Sequence, residues 1–124
     1  HPGSVEALDN LGKIFTLRKE YDRALEYLGR GLELQPANAS ILGTLGGVEL
    51  KLGRFKDAKT HLEAGRGSAR SEAASLNIYG NLGGLYIKLK DWERAADAFQ
   101  EVLELSPGDT QALQALKFIE KRRN

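Results

Sequence analysis

Leu8, Leu11, Ile14 and Phe15 fall at the i, i+3, i+6, i+7 spacing of one face of a helix. After a polar break at Lys19-Glu20, a second periodic run takes in Tyr21, Ala24, Leu25, Leu28, Leu32 and Leu34, and Pro36 stops it. The two-part pattern then returns twice. Gly53-Arg54 and Lys90-Asp91 stand where Lys19-Glu20 stood, Phe55 and Trp92 stand where Tyr21 stood, and Pro107-Gly108 closes the third passage. A last run, from Thr110 to Arg123, puts Leu113, Leu116 and Ile119 on one face. The pattern predicts an all-α chain of seven helices and no strands, with breaks near residues 19–20, 36–38, 53–54, 68–71, 90–91 and 107–109. Turns this short set neighbouring helices antiparallel.

The Leu-Gly pairs Leu11-Gly12, Leu45-Gly46 and Leu82-Gly83 are 34 and 37 residues apart. They frame copies at 5–38, 39–72 and 76–109, a closing helix at 110–123, and a three-residue insertion before the third copy. The first copy supplies Leu8, Leu11-Gly12, Phe15, Ala24, Leu28 and Pro36, and the third Tyr79, Leu82-Gly83, Tyr86, Ala95, Phe99 and Pro107. In this order the residues resemble the tetratricopeptide repeat. The second copy departs from it, with Glu49 in the aromatic slot and Arg70 in the proline slot. The missing proline and the inserted Ala73-Ala74-Ser75 coincide. Either Ser71 caps an extended first helix for copy three, with Glu72 in its first turn, or the segment is a flexible loop. Lys117 takes the slot that is glycine in the full copies, which reads as the end of the array.

The resemblance implies a right-handed superhelical array of antiparallel helix pairs forming a single domain over residues 5–124. Gly12, Gly46 and Gly83 would let the helices of each pair cross closely against Ala24, Ala58 and Ala95, twelve residues on.

Composition narrows the function. The chain has 124 residues, 41% hydrophobic and 28% charged, as in ordinary soluble domains. A net charge of +1 argues against a nucleic-acid partner, and the Lys121-Arg122-Arg123 run complements a helix C-terminus. No apolar run is long enough to predict membrane insertion, and no signal peptide is evident, so the cytoplasm is slightly favoured over an otherwise unread compartment. Cysteine is absent, which removes disulfides and thiolate chemistry. Methionine is absent too, which points to a processed chain or a piece of a longer one. Residues 1–4, His-Pro-Gly-Ser, read as a cloning remnant outside the fold.

Little in the chain suggests catalysis. His61 stands alone on the second helix of copy two, expected at a solvent or inter-helix surface, with no carboxylate at a metal-binding spacing. The Gly-rich segments lie inside helices, so they are not phosphate loops. The expectation is a non-enzyme without cofactor or metal.

By the resemblance, the first helix of each repeat lines a concave groove for a peptide or partner helix. Its slots hold Glu6, Asp9, Asn10, Lys13 and Thr16, then Ser40, Gly43, Thr44, Gly47 and Lys51, then Asn77, Gly80, Asn81, Gly84 and Lys88. The carboxylate clamp that the family uses for acidic chaperone tails would need basic and amide side chains where this chain has Asp9, Lys13, Thr44, Asn77 and Asn81. A chaperone-tail clamp is therefore not expected. Asn10 and Asn81, with Thr44 between them, occupy the slots of an asparagine ladder that could hydrogen-bond an extended peptide.

Gly43 and Gly47, like Gly80 and Gly84, are spaced i, i+4 and share a face. Either neighbouring helices crowd them, or they leave bare backbone for a partner. Glu49 is expected to reach solvent at the groove rim or pair with a cation such as Lys51 or Lys88. Phe118 is expected either to anchor a ligand at the groove end or to be buried by a rotation of the cap helix. The function expected is a protein-interaction scaffold within a larger adaptor or assembly protein. The alternative is the substrate-presenting arm of an enzyme, and homo-oligomerisation stays open.

Overall fold

The computed structural model describes residues 3–123. Its helices are α1 (Val5–Leu17), α2 (Tyr21–Leu34), α3 (Ala39–Lys51), α4 (Phe55–Ser68), α5 (Glu72–Lys88), α6 (Trp92–Leu105) and α7 (Thr110–Arg123), with no strand among the described residues. Every expected break is present.

Apart from α2 and α4, the helix starts follow from side-chain oxygens that accept otherwise unpaired N–H groups. Asn38 Oδ1 accepts from the Ile41 N–H at 3.0 Å, and Asp109 Oδ1 from Ala112 at 2.9 Å. Ser71 Oγ accepts from Ala74 at 3.1 Å, so the segment before copy three lengthens α5 to 17 residues and is not a flexible loop. Ser4 caps α1 by accepting from Ala7 at 3.0 Å. Of the four residues read as a cloning remnant, Ser4 thus contributes a cap to α1, while His1 and Pro2 lie outside the described residues.

The first helix of each repeat ends in one way. Lys19, Gly53 and Lys90 take positive φ of 61°, 77° and 59°. The N–H three residues past each helix, at Glu20, Arg54 and Asp91, reaches back to the carbonyls of Phe15, Glu49 and Tyr86 at 2.8–2.9 Å. This closure reverses the chain tightly enough to bring the second helix against the first.

Within a pair, the contact that sets the approach is at Gly12, Gly46 and Gly83. A Cβ at these positions would lie 2.4 Å from Leu28 Cδ2, Leu62 Cγ and Phe99 Cε2 respectively. The glycine therefore seats the large side chain sixteen residues on. The expected alanine partners, Ala24, Ala58 and Ala95, are fully buried beside this contact but are not the nearest atoms.

Between pairs, small and large residues interlock again. Gly31 receives Ile41 and Gly65 receives Ile78, whereas the corresponding slots of α6 and α7 hold buried Val102 and Ala112, with the sizes exchanged. Each pair stacks on the next through its second helix, and α1, α3 and α5 also pack side by side. The second helices scarcely touch one another. Contact on one side and divergence on the other bends the array, with α1, α3 and α5 along its inner face.

Gly46→Ala tests this packing. It should lower stability by about 1–3 kcal/mol, despite alanine's better helix propensity, because fully buried Leu62 has no room to retreat. Urea unfolding followed by circular dichroism measures it.

Candidate functional site

The inner face is built from three first helices whose equivalent slots carry different residues. Between α1 and α3, Asp9 Oδ2 accepts a hydrogen bond from Ser40 Oγ at 2.8 Å and lies 3.3 Å from Lys13 Nζ. The other oxygen, Oδ1, is buried with no hydrogen-bond partner among the described residues.

One repeat further on, the Asp9 and Lys13 slots hold Gly43 and Gly47, and α5 covers both. A Cβ on Gly43 would meet Asn77 Nδ2 at 2.9 Å, and one on Gly47 would meet Asn81 Nδ2 at 2.8 Å. Asn81 Nδ2 donates to the Gly43 carbonyl and to Asn77 Oδ1, both at 3.2 Å. For this pair of glycines, crowding by the neighbouring helix is the role the structure supports.

Gly80 and Gly84 occupy the same slots one repeat later. Nothing lies within 4 Å of a Cβ built on Gly80, and Gly84 meets only Leu50 Cδ2 at 3.5 Å. The cause is the placement of α7, which rests on α6 and hardly reaches α5. A cleft of about 280 Å³ remains, lined by Asn77, Gly80 and Asn81 of α5, Phe99 of α6, and Asp109 and Gln111 at the start of α7.

The expected groove residues therefore divide. Thr44 is buried and its hydroxyl donates to the Ser40 carbonyl at 3.1 Å, so it is no rung of a ladder. Asn81 has its amide nitrogen committed to the fold. Asn10, Lys13, Lys51 and Lys88 are exposed along the face. Phe118 is neither free nor buried. It is 41% exposed, packs edge-on against Trp92 at a centroid distance of 6.2 Å, and carries the Arg122 guanidinium 4.5 Å above its ring.

Glu49 departs furthest from expectation. It is 5% exposed, and its partner is neither Lys51 nor Lys88 but His61, whose Nδ1 lies 2.7 Å from Oε1. Burial raises the Glu49 carboxyl above its ordinary pKa, and the hydrogen bond and charge of His61 offset part of that rise. His61 is thus committed to the inside of its repeat.

The equivalent positions explain the pairing. Twelve residues separate Phe15 from Tyr27, Glu49 from His61, and Tyr86 from Ala98. Phe15 and Tyr27 stack with centroids 5.4 Å apart. Copy two replaces that aromatic pair with a carboxylate and an imidazole. Tyr86, facing only an alanine, sends its hydroxyl back to Glu63 Oε2 at 2.5 Å. Burial and that bond push its phenol up to about 12.

Gly80→Leu should leave the fold intact and add up to about 1 kcal/mol of stability from helix propensity. Gly43→Leu should cost about 2 kcal/mol or more by displacing Asn77 and Ile78. Thermal melts of the two variants check the contrast. Because the folded state holds the Glu49 proton more tightly than the unfolded chain does, that group's contribution is greatest below the ordinary carboxylate range. It falls as pH rises through the elevated folded value. The double variant Glu49→Phe, His61→Tyr should abolish this fall and match or exceed the parent's stability by up to about 2 kcal/mol at neutral pH. Denaturation curves between mildly acid and neutral pH measure both effects.

A tetratricopeptide repeat profile matches residues 37–108, and a second matches residues 5–38. In sequence, human DnaJ homolog subfamily C member 7 is 28% identical over 113 residues, 91% of this chain and 22% of that protein. The chain spans between 8% and 22% of the length of the curated relatives it matches. In structure, the Arabidopsis OM64 TPR domain superposes with a TM-score of 0.86 at 21% identity, covering 94% of both chains. The first TPR of Spaghetti (RPAP3), bound to an HSP90 peptide, gives 0.85 at 22% identity, covering 94% of this chain and 93% of its own. With its three helix pairs in register and both profiles spanning them, the chain belongs to the tetratricopeptide repeat family.

Proposed function

We propose that the chain is a protein-interaction scaffold that holds a peptide or partner helix along the inner face of α1, α3 and α5, seated in the cleft beside α5. The observation that carries this reading is Gly80. At the equivalent slot of α3 the backbone is covered by the next helix, whereas at Gly80 it faces an open cleft. Bare backbone allows close approach, and the Asn81 oxygen offers an acceptor to an N–H group of a ligand.

The neighbouring fold with an HSP90 peptide lends support to peptide binding in general. The slots here argue against an acidic tail as the ligand. Lys13 is paired with Asp9, and Asn77 and Asn81 supply no positive charge. The scaffold reading places the chain in a larger adaptor or assembly protein, while the arm of a larger enzyme is the alternative that the activity of the longer protein would decide.

Pull-down from native extract with the parent chain and with Gly80→Leu tests the reading. The variant should keep its helicity and lose the captured partner by about tenfold or more. Equal capture by both would place binding elsewhere. The HSP90-derived peptide SRMEEVD should give no saturable anisotropy change.

A further inference from the structure

The turns that join the two helices of a pair all lie on one edge of the array. The C-termini of α1, α3 and α5 meet the N-termini of α2, α4 and α6 there. The end of α7 lies on it too, since Arg123 reaches Glu93 at 3.2 Å and Phe118 packs on Trp92. The turns between pairs lie on the opposite edge.

Charge divides between the two edges. The opposite edge carries Glu6, Glu33, Glu72, Glu104 and Asp109 against Arg66 and Arg70. On the first edge most carboxylates are already engaged. Glu20 lies beside Arg18 and Arg23, Asp91 beside Arg94, and Glu93 and Glu120 beside Arg123, which leaves Asp22 and Asp57. Lys19, Lys51, Lys56, Lys88, Lys90 and Lys121 are exposed there and take part in no ion pair among the described residues. The net charge of +1 is thus the sum of a basic edge and an acidic one.

Apolar side chains stand among these lysines. Leu17, the last residue of α1, is 84% exposed and precedes Arg18-Lys19. Leu52 and Leu89 follow α3 and α5 directly, are exposed, and adjoin Lys51 and Lys88. Packed helices stand about 8–10 Å apart, so the turns and the end of α7 spread these groups along a strip on the order of 30 Å long.

We infer that the basic edge docks on the surface of a bilayer containing anionic phospholipids. The lysines meet headgroup phosphates, and Leu17, Leu52 and Leu89 enter the boundary between headgroups and acyl chains. No described helix is long and apolar enough to cross the bilayer, so the contact is peripheral. A bilayer sets anionic groups above an apolar layer over an extended plane, and a strip of unpaired lysines with exposed leucines between them is complementary to both layers. A nucleic acid would engage the lysines alone. Each lysine close to an anionic leaflet strengthens binding about fivefold, so the strip needs no pocket to hold. The edge lies at the ends of the inner helices, so a docked array keeps its inner face open, and the inference does not rest on the peptide reading.

The test is co-sedimentation of the whole chain with vesicles of phosphatidylcholine alone and of phosphatidylcholine with about a third phosphatidylserine, at physiological ionic strength. Binding to the anionic vesicles that is absent with the neutral ones is expected. Lys51→Gln, Lys56→Gln and Lys88→Gln together should weaken it about tenfold or more. Arg30→Gln, Arg66→Gln and Arg70→Gln remove the same charge away from this edge and should change it less than about threefold. Leu17→Ser, at an exposed site, should weaken it about threefold or more by removing an inserted side chain. Circular dichroism establishes that each variant is folded. No binding to the anionic vesicles, equal binding to the neutral ones, equal losses from the two charge sets, or undiminished binding by Leu17→Ser would overturn the inference. Retention of a DNA duplex as tight as that of the anionic vesicles at the same salt would also overturn it, in favour of a general polyanion surface.

Discussion

The seat that Gly12, Gly46 and Gly83 provide for Leu28, Leu62 and Phe99 is the contact on which the other packing depends. Each glycine weakens its helix by about 1 kcal/mol relative to alanine. Complete burial of a leucine or phenylalanine contributes about 1.5–3 kcal/mol, and it is available here only because no Cβ stands in the way. With that side chain seated, the second helix is fixed in height and rotation against the first. The faces left to meet the neighbouring repeats follow from that rotation.

Variation between repeats occurs in pairs. Where α2 and α4 offer a glycine, the next helix brings an isoleucine, and where α6 brings Val102, α7 answers with Ala112. The positions twelve apart behave in the same way, as a stack of two rings, a carboxylate with an imidazole, or a tyrosine over an alanine. Cores tolerate exchanges that conserve total volume, which accounts for the interchange of Gly–Ile and Val–Ala. Glu49 and His61 conserve less, since burying the carboxylate is costly even with a partner. The third solution conserves neither volume nor polarity and leaves a cleft instead.

The helices, their breaks and the Ser71 cap were legible because each is encoded within a few residues: apolar periodicity, a proline, a hydroxyl before an acidic first turn. The glycine slots were legible as close contacts, but the partner is the leucine or phenylalanine sixteen residues on, not the alanine twelve on, a distinction made by helix rotation. Likewise, i, i+4 spacing shows that Gly43 and Gly80 are alike, while the helix that follows decides which is covered. That information lies in where α7 docks, and the repeat period does not contain it. The Glu49 partner could have been found by comparing positions twelve apart across the copies, where Phe15 and Tyr27 give the clue.

The inner helices touch and the outer ones do not, and this gives the array the mechanics of a bound book. The line through α1, α3 and α5 is its spine. Opening or closing the space between α4 and α6 requires a small rotation about that spine and breaks no packing between the outer helices, because there is hardly any to break. Changing the curvature along the spine would instead pull the Asn81 amide from the Gly43 carbonyl. The stiffness is nonetheless shared between the two sides: widening an outer cleft must part Ile78 from Gly65 and Tyr86 from Glu63, just as flattening the inner face must part Asn81 from Gly43.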